Sequence, residues 1–532
     1  MSDADPLHCP GSGATHWTTD NVGEAMPGVA SPLGWSIWES DSDPANRELF
    51  YRIGIISRAE RDSMGPISEP VIRIFFGRIA MCMEWLGMVG DRMPGTTGPD
   101  AIAGMLGRVP DTMAFTPTRR RYPFIATKMP IAAHRAIREV RALSHPTKQW
   151  WKDSVSVAGN ADELAARAIL LDGAARYRQL ITEHGVVLFS ATTPVTHALN
   201  ALVARAGVGD IGTLSGTGGA EMRIVEDLWH ASRGEIDIDD VVAEHGYHGP
   251  LEGEVASHVW REDPEPLRRI VSAYAERPAD ESPIVRNAQL RAELPPMQRE
   301  VICALPRTYR TPARAILALA ARVLPMRGVG KAAFVQALDV SRAAARRLGQ
   351  IYVDGGRLDD PDDIFYLTLA DLRGGLPANA RDLVATRRAR REDYRRIQLP
   401  HSWRGTPDPV DVTAERATIG DVICGVGASA GRVEGPVRIV TDPSFAEVEP
   451  GEILVSHTTD PSWASIMFVS AALVVDIGGL ISHAAVVARE LGIPAVVNTR
   501  HGTGLLRDGD RVRVDGGAGT VELLERAPLS VG

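Results

Sequence analysis

One histidine lies in a setting suited to a group that carries an anion: Gly478-Gly479-Leu480-Ile481-Ser482-His483-Ala484-Ala485-Val486-Val487-Ala488-Arg489-Glu490-Leu491-Gly492-Ile493-Pro494. The apolar run 472–477 reads as a buried strand, the glycine pair as a tight loop, and the residues from Ser482 onward as a helix. Ser482 is a favourable N-cap. His483 therefore falls in the first helical turn, where unpaired N–H groups and the positive end of the helix dipole hold negative charge. Neutral imidazole is available as a nucleophile near pH 7, and a phosphoryl group on its nitrogen is labile enough to be passed on. Gly478 and Gly479 let a bulky donor approach the backbone, and Ala484 and Ala485 keep the neighbouring surface low. With Ser482 and Arg489, the two glycines form the candidate phosphate-binding set. The helix ends at Gly492, with Pro494 beyond it, and 495–498 resumes as a strand. Taken alone, a histidine in an Ala/Val run also suits a core position, so its wider context must decide.

That context extends from Gly425 to Asp515. Gly425-Val426-Gly427-Ala428-Ser429-Ala430-Gly431-Arg432-Val433-Glu434-Gly435-Pro436-Val437, then Asp460-Pro461-Ser462-Trp463, the histidine stretch, and Asp508-Gly509-Asp510 with Val512, Val514 and Asp515 follow in order. Together they resemble the mobile phosphohistidine domain of the phosphoenolpyruvate-utilising enzymes: phosphoenolpyruvate synthase, pyruvate phosphate dikinase and rifampicin phosphotransferase. The resemblance implies that His483 is the phosphoryl carrier. There is one departure. Dikinases carry Thr two residues before the histidine, where this chain has Ile481, so regulation through that Thr is not expected.

At 532 residues the chain exceeds a single core, which stops growing beyond roughly 250–300 residues. Its hydrophobic (44%) and charged (23%) fractions are those of a soluble globular protein. A net charge of −9 argues against a nucleic-acid scaffold. Cys9, Cys82, Cys303 and Cys424 form no CxxC pair, so neither a disulfide framework nor a zinc site is indicated, and a cytoplasmic setting is expected. The acidic N-terminus lacks the apolar core of a signal peptide. The longest apolar region, 466–487, is broken by Asp476, two glycines and His483, which disfavours a membrane span.

The expected fold is multidomain: a mostly α-helical substrate-binding domain followed by a C-terminal β/α swivelling phosphohistidine domain. The expected boundaries are a disordered lead (1–15), the helical acceptor-binding domain (16–398), a Pro-containing linker (399–417), the mobile domain (418–526) and a tail (527–532). Residues 16–36, rich in Gly, Pro and polar caps, read as an ordered loop rather than a helix. They resemble the opening of the substrate domain of rifampicin phosphotransferase, which follows that enzyme's ATP-grasp domain. By this resemblance the chain binds no cofactor itself, and ATP and Mg²⁺ are expected on a separate ATP-grasp partner, with AMP and phosphate as co-products. Helical periodicity places helices at 131–144, 160–184, 195–206, 219–232, 265–276, 285–304, 311–323, 331–353 and 379–397. Strands are expected at 435–440, 452–456, 472–477, 495–498, 511–515 and 520–524.

A second cluster of titratable groups lies in His245-Gly246-Tyr247-His248-Gly249-Pro250-Leu251-Glu252-Gly253-Glu254. Related substrate domains carry a similar loop near the acceptor, where transfer needs a proton acceptor and a positive group. His248 and Glu252 are the candidates, and a structural loop whose imidazoles bond backbone carbonyls is the equal alternative. The arginines at 387, 388, 390, 391, 395 and 396 read as a solvated face, with a phosphate- or partner-binding patch as the other reading. Residues 359–368 lack EF-hand spacing and resemble a structural turn followed by a short strand. Residues 215–221 are a weak anion cradle. Gly425-Val426-Gly427-Ala428-Ser429-Ala430 lacks the βαβ frame of a dinucleotide site, and Gly328-Val329-Gly330-Lys331 lacks the rest of a P-loop.

These features lead to a phosphotransferase component in which His483 carries a phosphoryl group from a donor bound elsewhere to a small-molecule hydroxyl. A non-catalytic small-molecule-binding or assembly protein, and a coupling or dehydration enzyme acting through a phosphorylated intermediate, remain as alternatives.

Overall fold

The computed structural model describes residues 5–20, 22–63, 67, 69–106, 109–208, 214, 220–409, 417–441, 448–459, 463–479 and 482–527. Two compact units emerge. The first comprises Met1–Ser190, Leu251–Ser257 and Val329–Val412, and the second Ala191–Pro250, His258–Gly328 and Thr413–Gly532. The helical region expected as one domain over 16–398 is therefore divided between them, and the stretch 191–328, apart from 251–257, groups with the mobile domain.

In the first unit, β1 (His16–Thr18), β2 (Ile72–Phe75), β3 (Arg78–Cys82) and β4 (Ser402–Arg404) form a sheet in the order β2-β3-β1-β4, and all its pairs are antiparallel. Trp17 lies opposite both Cys82 and Trp403, and Phe75 packs edge-on to the two indoles at 5.1 and 5.3 Å between ring centroids. β4 falls within the expected linker, because the aromatic Trp403 is drawn into this sheet; residues 410–416 of that linker lie outside the described residues. The expected disordered lead is also corrected over residues 5–15; residues 1–4 lie outside the described residues. Leu7 is 1% exposed, the Cys9 N–H donates to the Ile74 carbonyl, and the Leu7 carbonyl accepts from Gly77. An apolar side chain with a burial site and backbone partners outweighs the chain entropy of a free end.

Most expected helices are present with longer ends. The helix expected at 131–144 runs from Tyr122 to Ala158, through Pro130 and Pro146. Its buried stripe, Ala132, Ala136, Val140, Thr147 and Trp151, offsets the backbone bonds that proline removes. The helix Pro32–Arg52 was not expected in a segment read as a loop. Ser31 caps it by accepting from the Gly34 N–H, and Pro32 occupies the first turn, the position where proline's missing donor costs nothing. Residues 361–366 form a 3₁₀ turn capped by Asp360, and a short helix capped by Thr368 follows instead of the expected strand. The acidic side chains there satisfy helix N-termini.

Arg342 and Asp339 anchor the interior of this unit. Both side chains are fully buried and lie 3.0 Å apart. Asp339 also accepts from the Trp151 indole at 2.7 Å, while Arg342 donates to the carbonyls of Glu252 and Glu254 at 3.1 and 3.0 Å. Ser31 closes the arrangement by donating its N–H and hydroxyl to Glu254. The segment 251–257 is thereby held in the first unit. The arginine-rich helix is likewise committed internally: Arg387 pairs with Asp371, Arg388 with Asp363, Arg390 with Asp5, and Arg391 bonds the Val29 carbonyl.

The second unit contains an eight-stranded sheet in the order β5-β12-β11-β7-β8-β9-β10-β6. Its strands are β5 (Val422–Cys424), β6 (Val426–Ser429), β7 (Arg432–Val440), β8 (Ile453–Ser456), β9 (Ala472–Val475), β10 (Ala495–Val497), β11 (Arg511–Asp515) and β12 (Thr520–Glu525). β7, β8, β9 and β10 run parallel, and the remaining pairs are antiparallel. Alternation along β8 and β9 sends Leu454, Leu473 and Val475 to one face and Ile453, Val455, Ala472 and Val474 to the other, the period-2 signature of a sheet covered on both sides. On the first face lie the helices His483–Leu491, Ala464–Val469 and Ala220–Ser232, and their apolar side chains join Tyr274 and Trp260 in one core. Residues 215–219 of the proposed anion cradle and 528–532 of the tail lie outside the described residues. One helical run, Glu163–Ala206, is long and apolar enough to cross a membrane, and half of its apolar window is buried inside the protein.

Replacing Arg342 by Ala would leave Asp339 and two carbonyls without their shared buried donor. A loss of about 3–5 kcal/mol is expected, to be read as a lower urea midpoint for the first unit; a midpoint equal to wild type would contradict the anchoring role.

Candidate functional site

The site helix begins where three parallel strands end. β8, β9 and β10 deliver the loops 457–459, 476–479 and 498–501 to the same edge of the sheet. This is the edge at which open α/β sheets bind ligands, because strand carboxyl ends and helix N-termini converge there. The loops are tied to one another through the backbone: Asp476 N–H donates to Ser456, Ile477 to His457, Thr499 to Val475 and Arg500 to Asp476. Asn498 and Arg500, with φ of 59° and 66°, adopt left-handed conformations that non-glycine residues rarely hold without surrounding support.

Ser482 is the N-cap and accepts from the Ala485 N–H at 3.2 Å, so His483 is the first helical residue, as its sequence position implies. The apolar side of the helix, Ala484, Ala485, Val487, Ala488 and Leu491, is almost fully buried. Gly492, at φ 65°, closes the helix. His483 is itself buried, and its Nδ1 lies 3.0 Å from the Thr459 hydroxyl. In the tautomer whose Nδ1 carries the proton, this N–H donates to Thr459, and the nucleophilic lone pair resides on Nε2.

The four expected phosphate-binding residues have different placements. Gly478 has φ 152°, and a Cβ there would lie 3.0 Å from the Ser482 hydroxyl; it is needed for the turn. Gly479 alone opens onto free space, with nothing within 4 Å of an added Cβ. Ser482 caps the helix beside His483. Arg489 lies in the last turn and donates to the Ala428 carbonyl at 3.3 Å, at the opposite end of the helix from the N-terminal N–H groups. A cation there complements the negative end of the dipole.

His248 belongs to the second unit and Glu252 to the first. His248 is buried between Tyr247 and Trp260, with ring centroids at 4.2 and 5.8 Å, and its carbonyl accepts from Trp260. Glu252 pairs with Lys331 at 2.9 Å. The Gly-Lys sequence that imitates a P-loop thus supplies an ion-pair partner.

Two residues at the strand ends escaped sequence reasoning. Thr459 carries no motif of its own, although its position just beyond a buried strand and before Asp460-Pro461 was a usable signal. Asp476, 1% exposed, read only as an interruption of an apolar run. It accepts from the Thr499 hydroxyl at 2.9 Å and the Thr503 N–H at 3.3 Å, and lies 3.5 Å from His457. Burial alone would raise its carboxyl, but the hydrogen bonds from His457, Thr503 and Thr499 outweigh burial and hold it below the ordinary carboxylate range. Among the described residues, no group of three or more His, Cys, Asp or Glu side chains is arranged to hold a metal ion.

Residues 448–519 match the family described as PEP-utilising enzyme, mobile domain. The chain carries a PEP-utilising mobile domain. Residues 198–328 match the family described as rifampicin phosphotransferase fourth domain, a span that includes the helix Ala220–Ser232 in the core shared with the mobile domain. Among curated proteins, an uncharacterised protein of Mycobacterium tuberculosis is 38% identical over 284 residues, 53% of this chain and 30% of that protein. The rifampicin phosphotransferase of a Streptomyces species is 37% identical over 204 residues, 36% of this chain and 23% of the enzyme. Chondramide synthase of Chondromyces crocatus is 32% identical over 303 residues, 50% of this chain and 8% of the synthase. In each case the matched region is less than a third of the relative's length.

A carboxylate whose pKa is depressed on folding adds stability above its unfolded value of about 3.9 and loses it as pH falls through the lower folded value. Asp476→Asn should therefore lower stability at pH 7 and flatten the loss of stability below about pH 4. Denaturant midpoints measured across that range test this, and an acid limb as steep as wild type would contradict it.

Proposed function

We propose that the chain is the carrier and acceptor-binding component of a phosphotransferase. His483 takes a phosphoryl group from a donor bound elsewhere and passes it to the hydroxyl of a small molecule held by the helical first unit. The observation that carries this reading is the 3.0 Å pairing of Thr459 with His483 Nδ1 at the mouth of a capped helix. It orients the ring and, when Nδ1–H donates to the Thr459 hydroxyl, leaves the nucleophilic lone pair on Nε2. The N–H groups of the first turn and the dipole then offset the charge of the phosphoryl group. Transfer of this kind depends on positioning and charge neutralisation more than on covalent chemistry by the protein.

ATP and Mg²⁺ are assigned to a separate ATP-grasp protein that loads His483, with AMP and phosphate released. The resemblance to rifampicin phosphotransferase supports this choice over phosphoenolpyruvate. His248 and Glu252 remain candidates for acceptor activation, each now to be tested singly. A second reading draws support from the chondramide synthase similarity: the phosphorylated product is consumed in a coupling step, so the isolated product is not a phosphate ester. Product analysis separates the two.

The test is incubation with an ATP-grasp fragment and ATP labelled in its β- and γ-phosphoryl groups. Acid-labile, alkali-stable label is expected on wild type and absent from His483→Ala, and unchanged label in that variant would refute the assignment. Thr459→Val should slow loading roughly tenfold, the worth of one orienting hydrogen bond, and a rate equal to wild type would remove Thr459 from the mechanism.

A further inference from the structure

One carboxylate touches side chains that follow three different strands of the second unit. Asp476, just beyond β9, accepts from the hydroxyls of Thr499, just beyond β10, and of Thr503 in the short helix Gly502–Leu505. Its Oδ2 also lies 3.5 Å from Nδ1 of His457, the first residue after β8. Either the imidazolium or the neutral ring with its proton on Nδ1 can donate to the carboxylate. The two partners differ sharply in burial: the Asp476 side chain is 1% exposed and that of His457 59%. A pair with so exposed a member adds little to stability. Its position suggests a different use.

His457 is held at two points. Its carbonyl accepts from the Ile477 N–H at 3.0 Å, and its ring faces Asp476, so backbone and side chain are both tied to the segment that follows β9. Two residues further on, the buried Thr459 places its hydroxyl 3.0 Å from His483 Nδ1. The Cα atoms of residues 457 and 459 are at most about 7 Å apart, and a shift at His457 reaches Thr459 through a single intervening residue. A contact stretched from 3.0 Å to about 3.6 Å is no longer a hydrogen bond. A small displacement of this loop is therefore enough to release the ring, and a released ring spends more time with its proton on Nε2, where it is not a nucleophile.

We propose that His457 is a positioning residue for the carrier histidine: its pairing with Asp476 holds the loop 457–459 where the Thr459 hydroxyl stays on His483 Nδ1. The chain of contacts stands on its own geometry, and its effect on phosphoryl loading rests on the phosphoryl-carrier reading. His457 makes and breaks no bond in that reaction. It acts through Thr459, so its removal should matter only while the Thr459 hydroxyl is present.

The test combines the ring ¹⁵N signals of His483 in the unloaded chain with the kinetics of loading by an ATP-grasp fragment and ATP. In wild type the signals should report a proton on Nδ1, and in His457→Ala they should move toward the tautomer protonated on Nε2. Loading by His457→Ala should slow about fivefold in kcat with the KM for the ATP-grasp fragment unchanged, and His457→Lys, which keeps a donor for Asp476, should recover most of the rate. The double variant His457→Ala/Thr459→Val should be no slower than Thr459→Val alone. A double variant slowed by the product of the two single effects, or a loss in His457→Ala matched by a fall in its folded fraction, overturns the positioning role. Wild type that loads while the His483 signals stay unmoved in His457→Ala overturns that role and leaves the carrier intact. Signals that move as expected in a chain that never loads overturn the carrier reading and leave the positioning contact standing.

Discussion

A histidine that carries a phosphoryl group must present one nitrogen and hold the other, and the 3.0 Å pairing between Thr459 and His483 Nδ1 meets that requirement. The rest of the second unit can be understood as what keeps those two side chains in place. Thr459 is fixed because β8 ends three residues earlier in the parallel core of the sheet, and His483 because Ser482 starts a helix there. The alanines behind the histidine are buried against β6, β9 and β10, so the helix has little freedom to rotate. Close packing passes such constraints on directly, since an interior without voids permits few alternative arrangements.

The same edge of the sheet gathers its unfavourable features around the site. Two non-glycine residues in left-handed conformations, a buried carboxylate and a glycine at φ 152° lie within the loops that follow β9 and β10. Each is costly by itself, and each is offset by local bonds: Asp476 by threonine donors, Arg500 by the Asp476 carbonyl. Strain held at strand ends beside a helix N-terminus is common where a fold places chemistry. The helices Ala220–Ser232 and Glu265–Ala275 share the core beneath, which ties the stretch that matches the rifampicin phosphotransferase fourth domain to the mobile domain.

Much of this was legible in the residues themselves. The strand–glycine–helix order around His483 has a local cause at every step, so strands, cap and C-terminal glycine could all be placed from sequence. The division into units was less accessible. Residues 251–257 join the first unit through Arg342, roughly ninety positions away, and no periodicity reveals such a partner. The helix through Pro130 and Pro146 escaped for a related reason: local propensity opposes it and tertiary burial overrides propensity. Thr459 and Asp476 went unassigned because their roles arise from strand ends meeting in space.

The central claim is that His483 carries the phosphoryl group on Nε2. The most direct measurement is a two-dimensional ¹H–³¹P correlation spectrum of the chain after loading, with the phosphorylated peptide identified by mass spectrometry. The account predicts one phosphoramidate, attached to Nε2 of His483. A phosphoryl group on Nδ1, or on any residue other than His483, would contradict it.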